Sequence, residues 1–256
     1  MRILVPTTKR KDLKGLHGWA NGRECSSWRV TTGPEDWKEL LADPAEHWKT
    51  GYSAKTLAYC WEDAGGCFPH EVSNVLKTVA DPLLNDLTPI LAVPEFKVPL
   101  PGGTTPSQND IFVVAKSHKG QISIMVEGKV DEEFGNYTVK EWLNNASSGK
   151  QKRLKHILDN LGLDQTKPPD DVRYQLLHRA ASSVIAGKYF NAVAAVMLVH
   201  SFSQTKPPKH WLDYEKFLSL FGVQASAEKT QRLSPRSSKM PLFSAWVPGN
   251  EQYLHC

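Results

Sequence analysis

The sequence predicts an α/β sandwich, a mixed central sheet with helices on both faces. Three observations predict it. Asp110 to Lys116 and Gln121 to Val130 read as two strands around a Ser-His-Lys-Gly turn, the pattern of a hairpin. Asn191 to Ser201 is a run of small and β-branched residues, the composition of a strand buried on both faces. Segments with helical periodicity precede and follow these strands, which sets helices on both sides of the strand group. The chain has 256 residues, of which 40% are hydrophobic and 23% charged. That is a globular composition, long enough to fold without a disulfide or metal staple.

Pro34 to Leu41 predicts a short helix with Glu35 and Asp36 in its first turn. Ser53 is the expected N-cap of a helix to Ala64, with Leu57, Ala58, Trp61 and Ala64 as its apolar stripe and Gly65-Gly66 as its stop. A second helix runs from Pro69 to about Val79. Thr88 to Leu100 is β-like but interrupted by prolines, which predicts an edge or bulged strand. Pro101 to Pro106 is a loop, and its Gly102-Gly103 is not a phosphate-binding loop. After the hairpin, Val139 to about Gly162 is helical in two pieces, broken near Ser147-Ser148-Gly149. Asp170 or Asp171 caps a long helix over Val172 to Lys188. His210 to Phe221 is an amphipathic helix, Ala225 to Met240 a basic, Ser-rich linker, and Pro241 to Val247 a last strand. The organisation expected is an N-terminal extension packing on the core (1–50), a core (51–203), and a C-terminal helix, linker and strand (204–256).

Several function classes are excluded. The longest apolar run, Ala192 to Val199, is less than half of the roughly 20 residues that a membrane span needs. The apolar N-terminus is too short for a secretory signal, so a cytoplasmic protein is expected. Cys25, Cys60, Cys67 and Cys256 include no Cys-x-x-Cys pair, which argues for reduced thiols and against a structural zinc site. The net charge of +4 is compatible with a polyanion partner. Ala146 to Leu158 holds Lys150, Lys152, Arg153 and Lys155 with no acid, a helix face able to grip phosphates. The first fourteen residues are also basic.

The hairpin carries the chemistry. Ile111, Val113 and Ala115 with Ile122, Ile124 and Val126 form one apolar face. A two- or four-residue turn that sets Lys116 against Gln121 also sets Asp110 directly opposite Glu127, with Cβ atoms about 4.5–5.5 Å apart. Lys129, two positions on, shares that face. Opposed like charges repel, and a cation between them relieves the repulsion. Hard oxygen ligands suit Mg²⁺ or Mn²⁺, which can clamp a phosphodiester and acidify water. A neighbouring lysine can orient or deprotonate that water and neutralise developing charge. The plainer reading is a solvated Asp and a Glu-Lys pair at strand ends.

Asp110 followed by Glu127-Gly128-Lys129 on the next strand resembles the signature of the PD-(D/E)xK nuclease superfamily. Asn109 stands where the Pro of that name would be. The resemblance implies a restriction-endonuclease-like α/β/α sandwich, built as helix, three-strand meander, helix, strand. It implies Mg²⁺ or Mn²⁺ held by Asp110, Glu127 and the Gly128 carbonyl. An acid of the first helix, Glu62, joins the metal, with Glu95 of the first strand competing for the role. Gln175 and Arg173 lie near the scissile phosphate, and Arg179 stands where some exonuclease members carry Tyr. The implied function is a metal-dependent nuclease, acting on DNA through Asp110, Glu127, Lys129 and Gln175, with Lys150, Lys152, Arg153, Lys155 and Arg173 on the nucleic acid. An inactive nucleic-acid or protein binding module on the same fold is the alternative. No membrane partner is expected, and a homodimer is left open. Gly51 to Lys55, Lys97 to Gly103, Pro106 to Asp110, Val126 to Asp131, Arg173 to Arg179 and Val199 to Phe202 also resemble an uncharacterised bacterial family, over roughly Trp37 to Trp246.

Overall fold

A computed structural model describes residues 1–6, 28–234 and 240–256. The basic residues expected at positions 9–14, Cys25 and part of the basic linker lie outside these. An eight-stranded sheet in the order β2-β1-β3-β4-β5-β6-β8-β7 forms the centre. Its strands are β1 Arg2–Pro6, β2 Trp28–Val30, β3 Thr88–Val98, β4 Ser107–Ser117, β5 Gly120–Lys129, β6 Ala194–Ser201, β7 Thr230–Arg232 and β8 Leu242–Pro248. The sheet is mixed: β1–β3, β5–β6 and β6–β8 are parallel, and the other pairs antiparallel. Helices α1 Glu35–Lys38, α2 Pro44–His47, α3 Ser53–Asp63 and α4 His70–Leu76 precede β3. Helices α5 Val139–Leu143, α6 Ser148–Leu161 and α7 Tyr174–Tyr189 lie between β5 and β6, and α8 Trp211–Ser219 follows.

Strand periodicity sorts the core into layers. Ile111, Val113, Ile122, Ile124 and Val126, with Val196 and Leu198 of β6, pack with Leu57 and Trp61 of α3 and Val72 of α4. The alternate residues of β6, Ala195, Met197 and Val199, pack with Leu176, Leu177 and Ala180 of α7. All eight residues of β6 are buried, which is why this strand reads as unbroken apolar sequence. Each buried Val or Leu contributes about 1.5–3 kcal/mol through removal from water.

Three local expectations need correction, and a fourth, the edge or bulged strand, resolves to the second of its alternatives. β3 is not an edge strand, because β1 and β4 flank it. It is bulged, with its register shifting between Pro89 and Leu91. The prolines are tolerated because β1 pairs with β3 only at Leu91 and Ala92. Tyr52, not Ser53, caps α3. Neither Asp170 nor Asp171 caps α7, which starts at Tyr174 because Arg173 is held extended in a bridge to Thr138. The expected linker contains β7, pairing Gln231 with Ser244 of β8. Thr230 Oγ1 donates to Val75 O at 2.9 Å and Arg232 bonds Asp81 at 2.6 Å, so distant polar partners rather than alternation form this strand.

The proposed N- and C-terminal pieces both enter the sheet, through β1–β2 and β7–β8.

Candidate functional site

β4 and β5 pair with Lys116 opposite Gln121 and Ile111 opposite Val126. One step further this register brings Asp110 to Glu127. The two meet at one end of the sheet, where a cleft of about 720 Å³ opens between the start of α3 and α7. Glu95, Asp110, Glu127, Lys129, Gln175 and Arg179 all line it. Glu127 and Lys129 are buried, at 2% and 5% exposure.

Asp110 Oδ2 accepts a 2.7 Å hydrogen bond from the Gly128 amide. Gly128 keeps this approach close: a Cβ would lie 3.0 Å from Leu57 Cδ2, which would have to shift, and 3.5 Å from Asp110 Oδ2. The Glu127 carboxylate is held from two sides. Lys129 Nζ reaches Oε1 at 3.0 Å, and Arg179 Nε donates to Oε2 at 2.5 Å. Lys129 also lies 5.2 Å from the Phe134 ring centre. These contacts separate the acids. Burial, then the Glu127 charge, push Asp110 well above the usual carboxylate range, and Arg179 and Lys129 offset only part of this. Burial also opposes the ionised form of Glu127, but Arg179 and Lys129 outweigh it and keep Glu127 low.

Of the two candidates for a third acid, Glu95 is the one in the cleft. It stands in β3 between Pro94 and Phe96, which pair with Ile111 and Asn109 on either side of Asp110. Its φ of 54° is a conformation non-glycine residues rarely adopt, and it accepts a hydrogen bond from Gln108. Glu62 does not line the cleft and accepts from the Trp37 indole at 2.7 Å. The reason is helix length. Ser53 and Ala54 touch the cleft, and nine residues on, at 1.5 Å each, Glu62 is roughly 13 Å away along the axis. Gln175 is in the cleft, and its buried Oε1 has no hydrogen-bond partner.

The expected nucleic-acid contacts divide. Lys152 and Lys155 are exposed on α6. Lys150 donates to Trp142 O at 2.8 Å, and Arg153 Nε to Pro101 O at 2.9 Å. Arg173 does not reach the cleft: it bridges Glu133 and Asp213, two carboxylates that neutralise it. Sequence reasoning missed Arg179 as a site residue. Its signal was present, since it lies four residues after Gln175 and therefore on the same helix face.

A second polar cluster occupies the opposite face. Cys60, Glu71 and His200 bring ligand-type atoms within 4.8 Å of one another. Their hydrogen bonds argue against a metal. The Trp61 indole N–H can only donate, and it donates to His200 Nδ1 at 3.3 Å. His200 therefore carries its proton on Nε2, which faces Glu71 Oε1 at 3.2 Å, and has no lone pair there for an ion. Cys60 Sγ donates to the same oxygen at 3.5 Å. Burial and Glu71 push the thiol up, away from the thiolate.

Among the described residues, no helix is long and apolar enough to cross a membrane. Neither a curated protein nor a solved structure matches the chain. Residues 30–251 match a family described as a domain of unknown function, DUF6946. That match takes in the hairpin, the cleft and α7, and the chain belongs to this family.

Proposed function

We propose that this chain is a metal-dependent nuclease of the PD-(D/E)xK, restriction-endonuclease-like kind, hydrolysing phosphodiesters in DNA. The observation that carries the reading is Asp110 set against Glu127 at the end of the β4–β5 hairpin, with Lys129 bonded to Glu127. The order α3, antiparallel β3-β4-β5, α7, then β6 parallel to β5 supports it, since it follows the helix, meander, helix, strand plan of that superfamily.

The residues present fit Mg²⁺ or Mn²⁺. Carboxylates are hard oxygen donors, and a divalent cation beside Asp110 would offset both the burial and the Glu127 charge that push its carboxyl upward. Asp110, Glu127 and the Gly128 carbonyl would hold it, with Glu95 as a further carboxylate. The Gly128 amide already faces Asp110, and the carbonyl of a strand residue projects to the same side as its amide. When bound, such an ion supplies Lewis-acid stabilisation of the phosphodiester and a more acidic attacking water.

The chain's own groups do the rest. Lys129, paired with Glu127, donates hydrogen bonds and orients water or a phosphate oxygen, which favours an electrostatic clamp over a general base. Arg179 fixes the Glu127 carboxylate by its 2.5 Å bond. Gln175, with a free buried oxygen in the cleft, is placed to hold water or substrate. Incubating plasmid, linear and single-stranded DNA with Mg²⁺ or Mn²⁺ tests the reading. Lys129→Ala should lose about 10²–10³-fold in rate, the loss typical of one transition-state donor. Lys129→Arg, which keeps charge but changes geometry, should be nearly as poor. Wild-type cleavage by Lys129→Ala would refute the mechanism.

One observation favours the second reading, an inactive binding module. Both Glu127 oxygens are already paired with cations, so the site is partly neutralised without an ion. Calorimetry with Mn²⁺ separates the two: the nuclease reading requires binding that Asp110→Asn largely removes.

A further inference from the structure

A smaller cavity of about 370 Å³ lies beside the cleft, between the 101–106 loop, α6 and α7. Ser107 lines it while Gln108 lines the cleft, and His178 lines it while Arg179 lines the cleft. Consecutive residues thus face the two spaces. Ser107 Oγ joins them, meeting His178 Nδ1 at 2.8 Å and accepting from Arg179 Nη1 at 3.4 Å.

The small cavity has a one-sided charge. Lys150 and Arg153 line it, and no carboxylate does among the described residues. Both cations are aimed by backbone carbonyls, Lys150 by Trp142 O and Arg153 by Pro101 O and Leu100 O. Carbonyls orient a cation without neutralising it. The walls are closely packed. The Trp142 and Tyr174 rings stack at 4.0 Å and 9°, and Lys150 Nζ lies 5.3 Å from the Trp142 ring centre. The loop meets α6 so closely that a Cβ on Gly102 would lie 1.9 Å from the Gly149 carbonyl oxygen. The Tyr174 hydroxyl, in this lining, is buried with its oxygen toward the Arg153 side chain, and its own O–H meets no acceptor. Burial pushes that phenol up to about 12, with Arg153 pulling the other way. It therefore stays a neutral donor beside two cations.

Two uncompensated positive groups and an idle O–H donor around one small space call for an anion with several acceptor oxygens. We propose that this cavity binds a phosphate group, and that its source is a nucleic-acid strand whose neighbouring phosphodiester lies at Asp110 and Glu127. The source, though not the anion chemistry, rests on the nuclease reading.

The test uses the full chain in EDTA, so that cleavage plays no part. Inorganic phosphate and, separately, a single-stranded oligothymidylate are titrated into wild type, Lys150→Gln and Tyr174→Phe. Arg153→Gln is a weaker choice because Arg153 also ties down the loop. Tyr174→Phe keeps the stacked ring and removes only the hydroxyl, and thermal melts check that both variants fold. Inorganic phosphate should bind wild type, and Lys150→Gln should weaken it by about tenfold, the loss of one charged hydrogen bond. Tyr174→Phe should weaken it several-fold. For the oligonucleotide, Lys150→Gln should reduce the salt slope by about one. No phosphate binding by wild type, or equal binding by both folded variants, would overturn the proposal. Loss of phosphate binding with an unchanged oligonucleotide slope would overturn the strand as its source. A wild type that cuts no DNA but shows both losses would refute the nuclease reading and leave the subsite standing.

Discussion

The β5–β6 pair carries a polar cluster on each face, and the two are built from similar groups. On the α3 face, Trp61, His200, Glu71 and Cys60 form a chain in which each donor meets an acceptor. On the α7 face, Glu127 is paired twice, yet Asp110 is pushed toward its protonated form and Gln175 Oε1 has no partner. Buried polar groups are ordinarily satisfied, and those that are not call for an explanation. The satisfied cluster reads as structure. The unsatisfied one, opening on a cleft of about 720 Å³, reads as a site. A search by ligand type alone would choose the α3 face, because the Cys60, Glu71 and His200 atoms are the ones that crowd together. Only the donor and acceptor roles decide between them.

The sharpest contrast is in activity. Glu127→Gln should remove about 10²–10³-fold of DNA cleavage, whereas Cys60→Ala should leave the rate unchanged in the same assay. Equal losses would erase the distinction between the faces. The next effect is on stability. Arg179→Met leaves the buried Glu127 with Lys129 alone and should cost about 3 kcal/mol in urea unfolding, the low end for breaking a buried ion pair. Mn²⁺ should raise the melting temperature of this variant, since a ligand of the folded state stabilises it.

Trp61→Phe probes the closed face. It leaves His200 Nδ1 without a donor and should cost roughly 1–3 kcal/mol, with cleavage kept. Acid offers a graded version of this test. Burial holds His178, His200 and His210 below the ordinary imidazole value of 6.5, His210 at about 4. The unfolded chain takes up these protons as pH falls below about 6.5, while the folded chain keeps the rings neutral. Their stabilisation is therefore complete above pH 6.5 and is lost toward pH 4. Melting temperatures over that window should fall, and His210→Gln should flatten the slope. The smallest effect is expected from Lys152→Gln and Lys155→Gln. These groups are exposed, so DNA affinity should weaken a few-fold, equally across sequences, with no change in cleavage by bound enzyme.

Much of the site was legible one residue at a time. Strand alternation places Asp110, Glu127 and Lys129 on one face, and the turn sets the register. The remaining assignments turned on partners far along the chain. Glu62 and Glu95 look alike as sequence, but a helix of 11 residues carries one out of the cleft while β3 brings the other in. Arg173 precedes α7 and Arg179 lies within it, yet Glu133 and Asp213 neutralise the first and Glu127 holds the second.

The long helices, the β4–β5 hairpin and β6 were legible in the sequence, because periodicity, turns and register are local properties of a chain. The tertiary structure alone decided which charges are matched and which are left open. Arg179 meets Glu127 across 52 residues and Glu71 meets His200 across 129. β7 exists because β8 and the residues near Val75 supply its hydrogen bonds. No local pattern encodes such pairs, since a charged or polar side chain acquires its role from what packing sets against it and from how much water packing removes.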